Sequence, residues 1–497
     1  MEKINKTNKK QNNLTEKTFI GMVWIIIGKM GSFILQTSVT IILARLLSPT
    51  DYGTVSAALV IINFCDVFLI HTIPPVIIQK LNPDERYFES TRTFSLLLGC
   101  FLTIMCILLS ESISRFFGIN NLSLIIKVLS IVFIIESLSL VDDAYYQKKL
   151  LFKYISIRRL ISYFIGYGVI GIILAINGFG TWSLIFAYIT QSLVNYIFMR
   201  ANRKITSKFG FDKNIFRELL NKSFGYTISR LGTFFALQGD NFIIGKFLGA
   251  ESLGVYGKAY QFFSMPVSYI GEMFEKGLFS ALSNCQDDRS KFNNYFLRLF
   301  TLNLLTILPI SIYIFIYSSE IIIFLLGYDW IEAIGPFKIL SIGIIFRIMY
   351  KMCESILKSL GYIYIKAFIE CIYAASVIVG ALIGVNNGLL TVCKFVLFAV
   401  IVNFIIIFIS CKSVLRFSIS ELIKENSKAL ICGIFLLILL NCIKNISVIY
   451  IDIVFIRLLL GGVTFIILYI IIYFVLFKFK ELDKVKYLFF NIIRKKV

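Results

Sequence analysis

Ile42-Leu43-Ala44-Arg45-Leu46-Leu47-Ser48-Pro49-Thr50-Asp51-Tyr52-Gly53 recurs 201 residues later as Ile243-Ile244-Gly245-Lys246-Phe247-Leu248-Gly249-Ala250-Glu251-Ser252-Leu253-Gly254. Each copy closes one long apolar segment and opens the next. Ile, Leu and Gly return at matched places, and Arg45 is matched by Lys246. A second match sets Leu129-Ser130-Ile131 against Leu340-Ser341-Ile342, at an offset of 211. The chain therefore reads as two related halves. Membrane proteins built from internal repeats usually move a substrate, held near the bilayer midplane between the repeats.

Composition makes the membrane reading firm. Of 497 residues, 58% are hydrophobic and 16% charged, against roughly 25% charged in soluble proteins. Apolar runs long enough to cross a bilayer lie at 18–45, 54–78, 92–112, 122–141, 156–176, 182–200, 223–245, 252–283, 294–316, 331–357, 364–384, 389–410, 429–443 and 454–477. Pro74-Pro75 is expected to break the second of them. The pattern predicts an all-α integral membrane protein with about 14 transmembrane helices, as two pseudo-symmetric six-helix lobes plus two extra C-terminal helices. Its divisions are a basic tail 1–17, a first lobe 18–200, a linker 201–222, a second lobe 223–410, a final helix pair 411–477 and a basic tail 478–497. The first apolar segment is too long for a cleaved signal core and is expected to stay.

The net charge of +21 would suggest nucleic acid in a soluble protein. Here its distribution argues otherwise. With the N-terminus inside, inner segments hold 35 Lys and Arg, whereas outer connections hold only Arg45, Arg115, Lys246 and Lys444. This bias places both termini in the cytoplasm and makes the inner face attractive to anionic lipid. Ten cysteines, none in a CxxC pair, read as small packing residues. There is no G-x-x-x-x-G-K-[ST] nucleotide loop, and a single histidine excludes an HExxH zinc site. No enzyme, metal or nucleic-acid partner is expected, and a monomer is.

Eleven basic residues fall inside the spans: Lys29, Lys127, Arg230, Lys258, Lys276, Arg298, Lys338, Arg347, Lys351, Lys394 and Arg457. A charge at the bilayer centre costs at least about 2.5–3.5 kcal/mol, so such residues should face one another or water. Lys29, Ser32, Gln36 and Thr40 share one helical face, as do Arg347, Lys351, Glu354 and Lys358. Arg230 and Asn241 also align, as do Ser56, Asn63 and Asp66. Lys29, Gln36, Arg230, Asn241, Lys258, Arg347 and Lys351 are the candidate cavity residues, suited to a phosphate-bearing anion. Internal ion pairing is the structural alternative, and Glu272 with Lys276 has the spacing for it. Asp66, Glu136 and Asp240 are the candidates for a coupling H+ or Na+. His71 reads as a packed histidine.

The loop copies carry a family resemblance. Ala44-Arg45-Leu46-Leu47-Ser48-Pro49 with Asp51-Tyr52-Gly53, the run Asp240 to Gln261, and Leu326-Gly327-Tyr328-Asp329-Trp330 resemble the polysaccharide transport family. The nearest branch is the Wzx-type, colanic-acid-exporter-like members of the multidrug/oligosaccharidyl-lipid/polysaccharide exporter superfamily. His71-Thr72-Ile73-Pro74-Pro75 departs from the glycine-rich turn usual there. The resemblance implies two lobes around a central cavity and alternating access. It implies a substrate of oligosaccharide on undecaprenyl pyrophosphate, carried from the inner to the outer leaflet, with polymerase and glycosyltransferase partners. On that reading Arg45 and Lys246 sit at the outer rim. Three other readings remain open. They are a peptidoglycan-precursor flippase, a small-cation or drug antiporter, and a membrane-embedded polymerase or ligase, which would want a larger outer loop than this chain has.

Overall fold

The computed structural model describes the backbone of residues 2–201, 208–282 and 289–477. The predicted tail 478–497, linker residues 202–207 and the side chains of Glu272, Glu275 and Lys276 lie outside the described residues. Among the described residues there is no strand. Helices fall on every predicted span: α1 (Glu2–Leu46), α2 (Pro49–Gln79), α3 (Glu85–Phe117), α4 (Leu122–Lys148), α5 (Phe152–Ile176), α6 (Thr181–Ala201) and α7 (Lys213–Phe247). They continue as α8 (Gly249–Leu282), α9 (Arg289–Ile316), α10 (Ile334–Ser341 and Gly343–Ser359), α11 (Ile363–Gly384), α12 (Leu389–Leu415), α13 (Ile419–Tyr450) and α14 (Val454–Phe477).

Over the described residues, eleven of these meet the length and apolarity needed to cross a membrane by themselves. The other three, α7, α8 and α10, carry Arg230, Asp240, Lys258, Arg347, Lys351 and Glu354.

Local chemistry explains the breaks. Ser48 caps α2, its hydroxyl accepting from the Asp51 N–H at 3.2 Å while the Asp51 carboxylate accepts from the Ser48 N–H at 3.1 Å. This reciprocal box satisfies two donors that a helix start leaves open. Within α2, the helix stops at Leu69 and restarts at Ile73, with Pro74-Pro75 in its first turn. Proline lacks an N–H and suits a first helical turn, so the break falls where the sequence predicted it.

The second repeat is equally physical. The Ser130 hydroxyl donates to the Lys127 carbonyl at 2.8 Å, where α4 kinks. Ser341 does the same to Lys338 at 2.7 Å, where α10 kinks. The 211-residue offset then runs on through the inner turns. Leu150 and Gly361 both have positive φ, 58° and 82°. Leu151 and Tyr362 follow with nearly the same backbone angles, −83° and 51° against −79° and 52°. Their N–H groups reach back to Tyr146 at 3.0 Å and Leu357 at 2.9 Å. Asp143 and Glu354 are therefore equivalent positions.

The duplicated loop meets itself. A Cβ on Gly53 would lie 1.6 Å from the Ala250 carbonyl oxygen, and one on Gly254 would lie 1.9 Å from the Pro49 carbonyl oxygen. Pro49 and Ala250 are matched residues, as are Gly53 and Gly254, so the contact is reciprocal, as at a two-fold axis. Lipid supplies no hydrophobic drive between helices, so small residues that let backbones touch carry much of the association.

The chain divides into two compact units, Met1–Gly257 and Lys258–Val497. In the first, α3 packs on α4, α1 on α5, and α5 on α6; α7, which the sequence reading placed in the second lobe, packs on α2 and α3. In the second, α11 and α10 pack on α12, and α13 packs on α9 and α14. The last two helices are fastened rather than merely appended. Lys444 of α13 pairs at 3.0 Å with buried Glu320 of the short helix Ser318–Leu326, and Tyr313 of α9 and Tyr317, which caps that short helix, pack into the same cluster as Leu436 and Leu440.

Gly53→Val and Gly254→Val should each cost about 2–4 kcal/mol, seen as a lower thermal midpoint of the purified protein. Gly257→Ala, whose Cβ would meet only Ser56 Oγ at 3.8 Å, should leave the midpoint unchanged.

Candidate functional site

Two clusters of intramembrane polar residues stand out, one in each unit. In the first, Asp66 lies mid-helix on the buried face of α2, beside Ile62, Cys65 and Leu69. Glu136 approaches from α4, within Coulomb range of Asp66, and Tyr188 of α6 lies within range of both. One Glu136 oxygen accepts from the Ser192 hydroxyl at 3.4 Å. Asp66 Oδ1 and Glu136 Oε2 are buried and have no hydrogen-bond partner among the described residues. The Sγ atoms of Cys65 and Cys106 meet alongside at 3.6 Å. The structure thus brings together two of the three predicted ion-coupling residues.

Asp240, the third, is placed otherwise. One of its carboxylate oxygens accepts from the Tyr256 hydroxyl and the other from the Asn241 N–H at 2.8 Å. It ties the two arms of the second loop copy. Asn241 itself donates to Gln238 at 2.9 Å. Lys29 and Gln36 are exposed along α1, and Arg230 is exposed on α7, close enough for its charge to act at His71. Lys246, predicted at the outer rim, donates to the Phe116 carbonyl and lies 4.4 Å over the Phe116 ring. It closes the end of α3.

One end of this unit is held by two buried ion pairs. Arg92 meets Asp142 at 2.9 Å, and Arg158 meets Asp143 at 2.6 Å. Both arginine side chains are only 3% exposed. Beside the linker, Glu218 is bridged by Lys222 and Lys80, each at 2.8 Å. Those two ammoniums, Lys222 first, hold its carboxyl below the usual carboxylate range.

The second unit carries the cationic stripe. Arg347, Lys351, Glu354 and Lys358 lie along α10 as their spacing requires. The Arg347 guanidinium sits 4.7 Å over the Tyr373 ring and 6.0 Å from Tyr350, within range of a cation–π attraction to both rings. Buried Glu354 receives Lys358 at 2.9 Å, Lys351 at 3.4 Å and Lys366 of α11 at 3.4 Å. Lys366 also meets Glu370 at 2.6 Å. Lys258, buried on α8, donates to Gln261 at 3.2 Å. Among the described residues, no group of three His, Cys, Asp or Glu is placed to hold a metal.

Sequence spacing found the stripe but missed Tyr373, Lys366 and Ser192. Each joins its cluster from a different helix, and periodicity within one helix carries no information about that. Lys366 had one usable signal: it follows the turn at Gly361 by little more than one helical turn, as Arg158 follows Leu150 by about two.

The chain belongs to the polysaccharide biosynthesis protein family, whose model matches residues 42–335, starting at the first residue of the first loop copy. It is 26% identical over 388 residues to an uncharacterized membrane protein in the cps region of Klebsiella pneumoniae, covering 75% of this chain and 80% of that one. It is 22% identical over 313 residues to the succinoglycan biosynthesis transport protein ExoT of Rhizobium meliloti, 62% of this chain and 63% of that one. Its fold matches the lipid II flippase MurJ in an inward closed conformation, with a TM-score of 0.75 at 17% identity, over 91% of this chain and 99% of that one. The resemblance to the polysaccharide transport family read from the loops is borne out.

Asp142→Ala should destabilise the protein by about 3–5 kcal/mol, because Arg92 is left buried without its partner. Thermal unfolding of Asp142→Ala against the double change Arg92→Met with Asp142→Leu checks this, and the double variant should be the more stable.

Proposed function

We propose that this protein is a flippase that carries an oligosaccharide on undecaprenyl pyrophosphate, a surface-polysaccharide repeat unit, from the inner to the outer leaflet by alternating access. The observation that carries the reading is the α10 stripe, with the Arg347 guanidinium 4.7 Å over Tyr373 and 6.0 Å from Tyr350, and Lys351 one turn on. Arginine offers paired N–H donors to phosphate oxygens and lysine adds a point charge. The family assignment and the transport named for ExoT support the same substrate class.

In this mechanism the pyrophosphate binds Arg347 and Lys351, with Lys258 of the same unit as a further candidate contact. The prenyl tail remains in lipid. The protein makes and breaks no covalent bond, and it works as a monomer in the bacterial cytoplasmic membrane, alongside a polymerase and glycosyltransferases. Both termini face the cytoplasm, where the basic inner segments attract anionic lipid.

Asp66 and Glu136 supply the coupling. Two carboxylates buried together repel strongly when both are charged, and a cation between them relieves the cost. Binding and release of one H+ or Na+ there would bias the two access states, provided the ion binds one state more tightly.

Arg347→Ala with Lys351→Ala should abolish surface polymer while membrane protein level holds; normal surface polymer in that variant would sink the site assignment. Asp66→Asn should lower transport in proteoliposomes tenfold or more under an imposed H+ or Na+ gradient and make the residual rate independent of it. Unchanged gradient dependence would remove the coupling role.

A further inference from the structure

The inner ends of α4 and α10 are the same structural element twice, by the turn geometry at Leu150 and Gly361. Each presents an acid at the equivalent position, Asp143 or Glu354, and each acid is met by a cation from the next helix, Arg158 or Lys366. There the likeness stops. The α4 corner is closed: Arg92 and Arg158 are each only 3% exposed and hydrogen-bonded to Asp142 and Asp143. The α10 corner is open. Lys351 and Lys358 are 33% exposed and Lys366 is 20% exposed, although all three reach one carboxylate that is 4% exposed.

A structural ion pair needs one cation, and its burial protects it, as at Arg158. Here three ammonium groups share two carboxylates, Glu354 and Glu370, the latter 2.6 Å from Lys366, which leaves one positive charge in excess and like charges close together. Leaving their outer sides toward water lets a further anion reach them. Lysine ammoniums are point donors that reorient around phosphate oxygens, and a group with several oxygens can bridge donors from two helices.

We propose that Lys358 and Lys366, organised by buried Glu354, form a capture site for a pyrophosphate group at the inner end of α10 and α11. The site lies on the same helix face as Arg347 and Lys351, one to three turns toward the inner side. It would hold the headgroup before those residues receive it. This rests on the flippase reading for its direction of passage, and on the geometry of the corner for its chemistry. Glu354 is a positioning residue that holds the lysines at one place.

The test is binding of inorganic pyrophosphate and of geranyl pyrophosphate to the purified full-length protein in detergent, by titration calorimetry at constant ionic strength. Lys358→Gln with Lys366→Gln should raise both dissociation constants tenfold or more. Each single Gln variant should raise them about threefold, which covers the case of a double variant that fails to fold. Lys358→Arg with Lys366→Arg should bind within about threefold of the parent, since charge and donors remain. Lys412→Gln with Lys424→Gln, exposed lysines elsewhere on the inner side, should change nothing.

Unchanged binding in the Lys358 and Lys366 variants would overturn the proposal, as would an equal loss in the Lys412 and Lys424 control. Tighter binding of geranyl pyrophosphate assigns the site to a lipid-linked group; equal binding assigns it to the pyrophosphate alone. If the capture variants bind normally while Arg347→Ala with Lys351→Ala stops export, the capture site fails and the flippase reading stands. If they lose binding while export survives Arg347→Ala with Lys351→Ala, the reverse holds.

Discussion

A charged group inside a bilayer must find its partner within the protein or in water the protein holds, because lipid offers neither hydrogen bonds nor counter-charge. Most of the distinctive geometry of this chain answers that demand. Arg92 and Arg158 are neutralised by consecutive aspartates of one helix. Lys444 is spent on Glu320, and that pair fastens α13 to the rest of its unit. Three lysines converge on Glu354. Asp66 and Glu136 differ in that each has another acid, not a cation, as its charged neighbour; each also has a buried oxygen without a hydrogen-bond partner among the described residues, as Glu354 does.

The backbone faces the same demand at the loop copies. Glycine at 53 and 254 lets each helix start approach the carbonyl oxygen four residues before the other glycine. The two copies differ in how their helices begin. The first uses the Ser48 and Asp51 capping box, whose Asp51 also accepts from Thr181 at 2.7 Å. The second has Gly249 at the position of Ser48, with φ of 79°. Similar ends are reached by different caps, so the glycine crossing, more than the cap chemistry, is what the repeat preserves.

Much of the fold was legible because the bilayer simplifies the problem. A span must be helical and about 20 residues long, so apolar runs located the fourteen long helices, though not the short helix Ser318–Leu326 that lies between two of the predicted spans. Pro74-Pro75 marked the break in α2, and the Leu-Ser-Ile repeat marked two equivalent kinks that each rest on a serine hydroxyl. The site was legible only in part. The α10 stripe was readable because 3.6-residue periodicity places its members on one face. Asp240 and Asp66 look alike in sequence, each an acid in an apolar run. One is bonded to Tyr256 and the other lies near Glu136, which is a matter of neighbours.

Sequence by itself determined what is local or statistical: that the chain is helical and membrane-embedded, that it is doubled, and which residues lie on one helix face. These follow from hydrophobic length, helical period and the offset between repeats. Only the tertiary structure decided which charges are spent on one another and which stay available. Arg158 and Lys366 follow equivalent turns, yet one is 3% exposed and the other 20%. The physical reason is that the cost of a buried charge depends on the groups packed around it from other helices. No reading along a single helix contains that information.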